Sequence, residues 1–217
     1  MMRRFMLWMA AALGLTAFAV EHNAFWGQRA TLHELLPVDS TTIVFLGNSL
    51  TNGCEWHELL GMPNVVNRGI SGDIIPGLMD RLDPIVAGKP AKIFVMCGVN
   101  DLSHNLTTDS IAHDMDLLLE RIQTESPSTK IYLQSLLPFN MNVREWKTLV
   151  GKEQQTREIN ARYKEIAERR GITWIDLYPL VVDDNGNLRE EFTNDGLHLL
   201  GPAYLIWRDA VMPYVKE

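Results

Sequence analysis

The 217-residue chain has only two cysteines, Cys54 and Cys97. Two are too few to build a fold on disulfides. Both stand in apolar settings that suit buried free thiols, with a single bridge as the alternative. Positive charge is also scarce: 20 Lys and Arg face 27 Asp and Glu, for a net charge of −7. The missing basic face argues against nucleic acid and anionic membrane as partners, because both are held by clustered Lys and Arg. Metal-binding patterns are absent too. His33 and His57 each open an HELL, but neither continues to the second histidine of a zinc helix. The stretch DDNGN at 183–187 is followed by Leu188 where a calcium loop needs glycine, and no Glu stands at its twelfth position. No metal and no cofactor are expected. Asn185 and Gly186 read as a hairpin turn. His22, His104 and His113 have no partner pattern and are expected at the surface.

Long apolar runs are confined to the N-terminus. Residues 1–19, MMRRFMLWMAAALGLTAFA, open on Arg3 and Arg4 and end in Ala17, Phe18, Ala19. That order is the pattern of a secretory signal peptide cleaved near Ala19, and the run is short for a retained membrane span. The expected mature protein is therefore secreted or periplasmic, has no membrane span, and forms one domain over residues 20–217. Repeats and low-complexity segments are missing.

Against these absences stand five short apolar runs, at 41–46, 64–67, 92–97, 130–137 and 172–176. Their near-continuous apolar character suits strands covered on both faces. Helical patterns fall at 24–36, 51–60, 76–87, 109–125, 152–170 and 201–215. Alternation of this kind predicts an α/β fold with a parallel sheet.

The run at 43–46, IVFL, stops abruptly at Gly47-Asn48-Ser49. Ser49 thus lies at a strand end and at the mouth of a helix, where backbone N–H groups converge. Asp195 and His198, three residues apart in NDGLHL, precede the last helix. In a Ser-His-Asp mechanism a carboxylate orients the imidazole, which takes the serine proton. The resulting oxyanion needs donors already in place. Gly69, in NRGISGD after the second strand, and the Asn100 amide, in GVND after the third, are the candidates. The long connection 138–151 leaves the same sheet edge carrying Asn140, Arg144 and Trp146. It reads either as a wall of the site or as a solvated loop. Trp56 likewise reads as a packed aromatic or as a substrate platform. No GxSxG elbow surrounds Ser49, which separates the chain from the α/β-hydrolases.

GNSL, NRGISGD, GVND and DGLH, in this order across residues 41–200, resemble the four blocks of the SGNH hydrolases, the GDSL-type esterase superfamily. The wording around Trp56 is similar to the branch of platelet-activating-factor acetylhydrolase-like and sialate or sugar O-acetylesterase proteins. The resemblance implies a three-layer α/β/α sandwich on a flavodoxin-like five-stranded parallel sheet. It implies Ser49 as nucleophile with Asp195 and His198, and an oxyanion hole of Ser49 N–H, Gly69 N–H and the Asn100 side chain. It implies an esterase acting on short acyl groups, acetyl above all, carried by a small-molecule or carbohydrate ester. Lysophospholipase, arylesterase and thioesterase activities stay open, as does a non-catalytic carbohydrate-binding role. The chain departs from the family's name motif at Asn48, where that motif has Asp.

Overall fold

The computed structural model describes residues 22–217; the expected signal peptide lies outside the described residues. The chain runs α1 (Ala24–Leu35), β1 (Ile43–Gly47), α2 (Ser49–Asn52), α3 (Trp56–Leu60), β2 (Val65–Gly69), α4 (Ile75–Asp80) and α5 (Asp83–Ala87). It continues through β3 (Lys92–Met96), α6 (Val99–Ser103), α7 (Thr108–Glu125), β4 (Lys130–Gln134), α8 (Glu153–Arg170), β5 (Thr173–Ile175), α9 (Tyr178–Val181) and α10 (Gly201–Lys216). The five strands form one sheet in the order β2-β1-β3-β4-β5, and every pairing is parallel.

Successive strand side chains point to opposite faces, so the unbroken apolar runs fill two cores. Val44, Leu46, Ile93, Val95, Ile131 and Leu133 pack with α4, α5, α7 and α8. Ile43, Phe45, Phe94, Met96, Tyr132 and Ile175 pack with α2, α3, α9 and α10. Helices on both faces of a parallel sheet make the expected α/β/α sandwich. Lys92 joins the two ends of the second layer: its Nζ donates to the carbonyls of Tyr214, Val215 and Glu217 at 2.7–3.0 Å and so caps the last helix.

Two expected helices are each broken in two. The span 51–60 is interrupted after Asn52 because Asn67 Nδ2 captures the carbonyls of Thr51, Asn52 and Cys54. The span 76–87 stops at Arg81 and restarts in α5 with Pro84 in its first turn, the position where a missing N–H costs no helical bond. β4 ends at Gln134, short of the expected 137. There Asn160 replaces a strand neighbour, its Oδ1 accepting from Leu136 N–H and its Nδ2 donating to Leu136 O. Cys54 and Cys97 are buried free thiols. The turn expected at Asn185-Gly186 lies inside an isolated antiparallel bridge, Val182 to Leu188.

Chain order places the site. From β1 the chain crosses to β2 on one side, then to β3 on the other, so the loops after β1 and β3 diverge at a crevice at the carboxyl end of the sheet. Ligands of open α/β sheets bind at such switch points.

Candidate active site

β1 delivers Ser49 to that crevice. Asn48 caps α2, its Oδ1 accepting Leu50 N–H at 3.0 Å. That is an acceptor's task, which an amide oxygen performs as a carboxylate would. Asn48 is fully buried, and its Nδ2 finds no protein acceptor among the described residues. Ser49 Oγ lies 3.0 Å from His198 Nε2, and His198 Nδ1 lies 2.7 Å from Asp195 Oδ2. The structure therefore brings together three side chains that the sequence holds as far as 149 positions apart.

Asp195 is held from several directions. Its Oδ1 accepts from the backbone N–H of Leu197 and of His198, at 2.9 and 2.8 Å. Burial alone would push this carboxyl up. The bonds from the His198 ring and from the two backbone N–H groups outweigh it and hold the group below its ordinary value, as the ionised form. Thr193 Oγ1 accepts from Gly196 N–H at 2.9 Å and shapes the turn. The loop 138–151 closes on the same turn: Asn140 N–H donates to Gly196 O at 2.7 Å, and Trp146 Nε1 donates to Asp195 O at 2.7 Å. The Trp146 ring also meets His198 edge-on, with ring centres 5.8 Å apart, and the exposed Arg144 lies over its face. Of the two readings of this loop, the wall is the one the contacts support.

Of the two readings of Trp56 the packed aromatic holds over the substrate platform, and the expectations for Asn140 and Gly69 need correction. Trp56 is fully buried, stacked on Phe45 at 4.1 Å and edge-on to Trp207, so it packs the core and reaches no ligand. Asn140 is also buried; its Nδ2 donates to Leu188 O and its Oδ1 accepts from Asn142 N–H, so it builds the loop and faces no substrate. Gly69 N–H is bound to Asn67 Oδ1 at 2.7 Å, and the residue is pressed against the backbone of Asn52, where a Cβ would collide. Gly69 thus has no free N–H to offer an oxyanion.

The N–H left free in that loop belongs to Gly72, a residue no sequence pattern singles out. Gly72 is exposed, and its N–H has no acceptor among the described residues. Ser71 Oγ, one residue before it, donates to Asn52 Oδ1 at 3.1 Å, and Asp73 O, one residue after it, accepts from Asn100 Nδ2 at 2.8 Å. The loop is thereby tied to the end of α2 and to Asn100, the second expected donor. Ser49 N–H heads α2, where first-turn N–H groups have no intrahelical acceptor. NRGISGD contains two glycines, and only the Asn67 side chain decides which keeps its donor free.

Beneath the loop lies a brace that no motif announced. Arg81 Nε donates to Asp73 Oδ2 at 2.8 Å, its Nη1 to Arg68 O and its Nη2 to Gly47 O. Asp73 Oδ1 also accepts from Trp26 Nε1 and Ile74 N–H. Burial pushes the Asp73 carboxyl up, and Arg81 is the main group opposing it. Asp73, through Arg81, ties β1, β2 and the Gly72 loop together. Among the described residues no cluster of His, Cys, Asp or Glu is arranged to hold a metal ion.

A doubly wound sheet with Ser49 in the loop after β1 and a His-Asp pair before the last helix is the arrangement of an SGNH-type hydrolase. The chain belongs to the GDSL-like Lipase/Acylhydrolase family, whose model it matches over residues 45–204. It is 24% identical over 168 residues to platelet-activating factor acetylhydrolase IB subunit alpha2 of Rattus norvegicus, covering 75% of this chain and 70% of that protein. A provisionally assigned platelet activating factor from Streptococcus pneumonia superposes with a TM-score of 0.78 at 26% identity, covering 88% of this chain and 91% of the other. A GDSL-like lipase from Bacteroides thetaiotaomicron shares the fold with a TM-score of 0.76 at 24% identity, covering 88% and 97%. The protein is an esterase of the acylhydrolase class.

Proposed function

We propose that the protein is an exported serine esterase that removes short acyl groups, acetyl first among them, from carbohydrate esters through an acyl-enzyme. The observation that carries the mechanism is the relay Ser49 Oγ, His198 Nε2, His198 Nδ1, Asp195 Oδ2, with links of 3.0 and 2.7 Å. Neutral His198 takes the proton as Ser49 Oγ attacks the ester carbonyl. Ser49 N–H, Gly72 N–H and Asn100 Nδ2 meet the oxyanion. The tetrahedral intermediate then collapses, and His198 returns the proton to the departing alcohol. Water attacks the acyl-enzyme by the same steps and releases the acid.

Support for a short acyl group comes from the acetylhydrolase relative. Support for a sugar alcohol comes from Trp146, a partly exposed aromatic ring beside His198, since an aromatic face offers apolar area and a directional surface to a ring-shaped ligand. Export rests on the N-terminal sequence alone.

Hydrolysis of p-nitrophenyl esters from acetate to octanoate, beside release of acetate from O-acetylated xylan oligomers, O-acetylated sialic acid and a lysophospholipid, tests the substrate class. The expected order is acetate fastest and sugar esters above the lipid. A preference for the longer chains or the lipid overturns it. Expression of the full chain in a secreting host should yield a mature protein beginning at residue 20; retention of residues 1–19 would contradict export.

A further inference from the structure

Behind the Arg81 brace, α1 and β2 enclose a cluster of positive groups with no carboxylate of its own. Arg68 and His33 are 3% and 4% exposed, so both are core residues. Arg68 Nη1 donates to Asn67 O and its Nη2 to Leu36 O, both neutral acceptors. His33 Nε2 lies 3.2 Å from Arg29 Nη2, a contact in which a guanidinium can only donate and the imidazole nitrogen must accept. The ring proton is therefore on Nδ1. Three N–H donors remain, Arg29 Nε, His33 Nδ1 and Arg68 Nε, all shielded from solvent and without a protein acceptor among the described residues.

The electrostatics agree with the geometry. Burial first, then Arg68, Arg81 and Arg29, pull the His33 imidazole down to about 3, so it is neutral. Arg68 is pulled down to about 10 by burial, Arg81 and Arg29, and no acidic neighbour opposes them. It remains charged at neutral pH. The carboxylate behind the cluster, Asp73, already accepts from Arg81, Trp26 and Ile74. A buried guanidinium facing only carbonyls and other cations is a costly arrangement, and a counterion relieves it.

We propose that Arg29, His33 and Arg68 form a binding site for a compact monovalent inorganic anion of the halide class, between α1 and β2. Each of the three nitrogens is a donor, so the ligand must accept on every side and carry negative charge. Their enclosure favours a single-atom anion over a larger oxyanion. The site lies behind the reactive crevice and next to it, since Arg81 holds the carbonyls of both Arg68 and Gly47.

Thermal unfolding of the purified protein in sodium chloride, against sodium gluconate at equal ionic strength, tests the proposal. The midpoint should rise in chloride along a saturating curve, as linkage requires of a ligand that binds only the folded state. Bromide should reproduce the rise and give an anomalous-scattering peak in contact with Arg68 Nε in a soaked crystal. Arg68→Met should lose the chloride-dependent increment; if it does not fold, Arg29→Gln on the less buried side reads the same loss. Superimposed curves in the two salts overturn the site, and water alone then meets the three donors. A bromide peak without a saturating response marks an adventitious ion only, and a response to sulfate but not to halides refutes the halide class.

Discussion

Asp101 follows the expected oxyanion donor Asn100 directly and contributes no atom to the relay, yet it sets part of the protein's pH response. Its Oδ1 accepts Ile75 N–H at 3.0 Å and so caps α4 from the neighbouring loop. Burial lifts its carboxyl to about 7. The folded state then keeps a proton that the unfolded chain releases, so stability falls as pH rises from about 4 to about 7. Asp101→Asn keeps the acceptor and removes the ionisation. Urea unfolding over that window should show a flatter profile for the variant, with a gain on the order of a few kcal/mol above pH 7; parallel profiles would show that Asp101 does not titrate there. Asp195 has the opposite sign. Its depressed carboxyl stabilises the fold above its ordinary value and loses that contribution as pH falls through the lowered one. Trp146 acts on the same residue through a carbonyl. Trp146→Phe keeps the ring beside His198 and deletes the bond to Asp195 O, a loss of about 1 kcal/mol. The expectation is a several-fold fall in kcat with KM for p-nitrophenyl acetate nearly unchanged.

At the scale of elements, the site is a junction of loops held by two devices. The first is the close approach of 138–151 to the His-Asp turn. Gly196 has φ 82°, and a Cβ there would run into Asn140 O. Gly196→Ala should therefore cost stability by about 1–3 kcal/mol and activity by more than a stability loss alone explains, because the turn also carries Asp195 and His198. Equal activity per folded molecule would show that the loop does not position the pair. The second device is the Arg81 brace. Arg81→Met leaves Asp73 buried without its ionic partner, so denaturant unfolding should register a loss of about 3–5 kcal/mol, and a loss under 1 kcal/mol would contradict the brace.

At the scale of the whole molecule, the sheet was legible because both its faces are covered: five apolar runs with helical patterns between them leave little choice but a parallel sheet between two helical layers. The interruptions of the helices were not legible, because side chains distant in sequence cause them. Asn67 ends α2 from the next strand, and Asn160 ends β4 from a crossover helix. Ser49, Asp195 and His198 stood out because each follows a strand end or precedes a helix with the chemistry its role demands. Gly72 was hidden beside Gly69 until the Asn67 side chain was seen to take one donor and leave the other. Asn140 carries a ligand-binding residue type in a core position, and burial decides between the two readings of Trp56.

The central claim is that Ser49 is the nucleophile of a Ser-His-Asp relay. The most direct measurement is p-nitrophenyl acetate hydrolysis by the wild type and Ser49→Ala, with intact-mass analysis of the wild type quenched during turnover. The account predicts a fall in kcat of at least about 10⁴-fold in the variant and an acetyl adduct on Ser49 in the wild type. Equal rates in the two proteins, or an adduct on another residue, would contradict it.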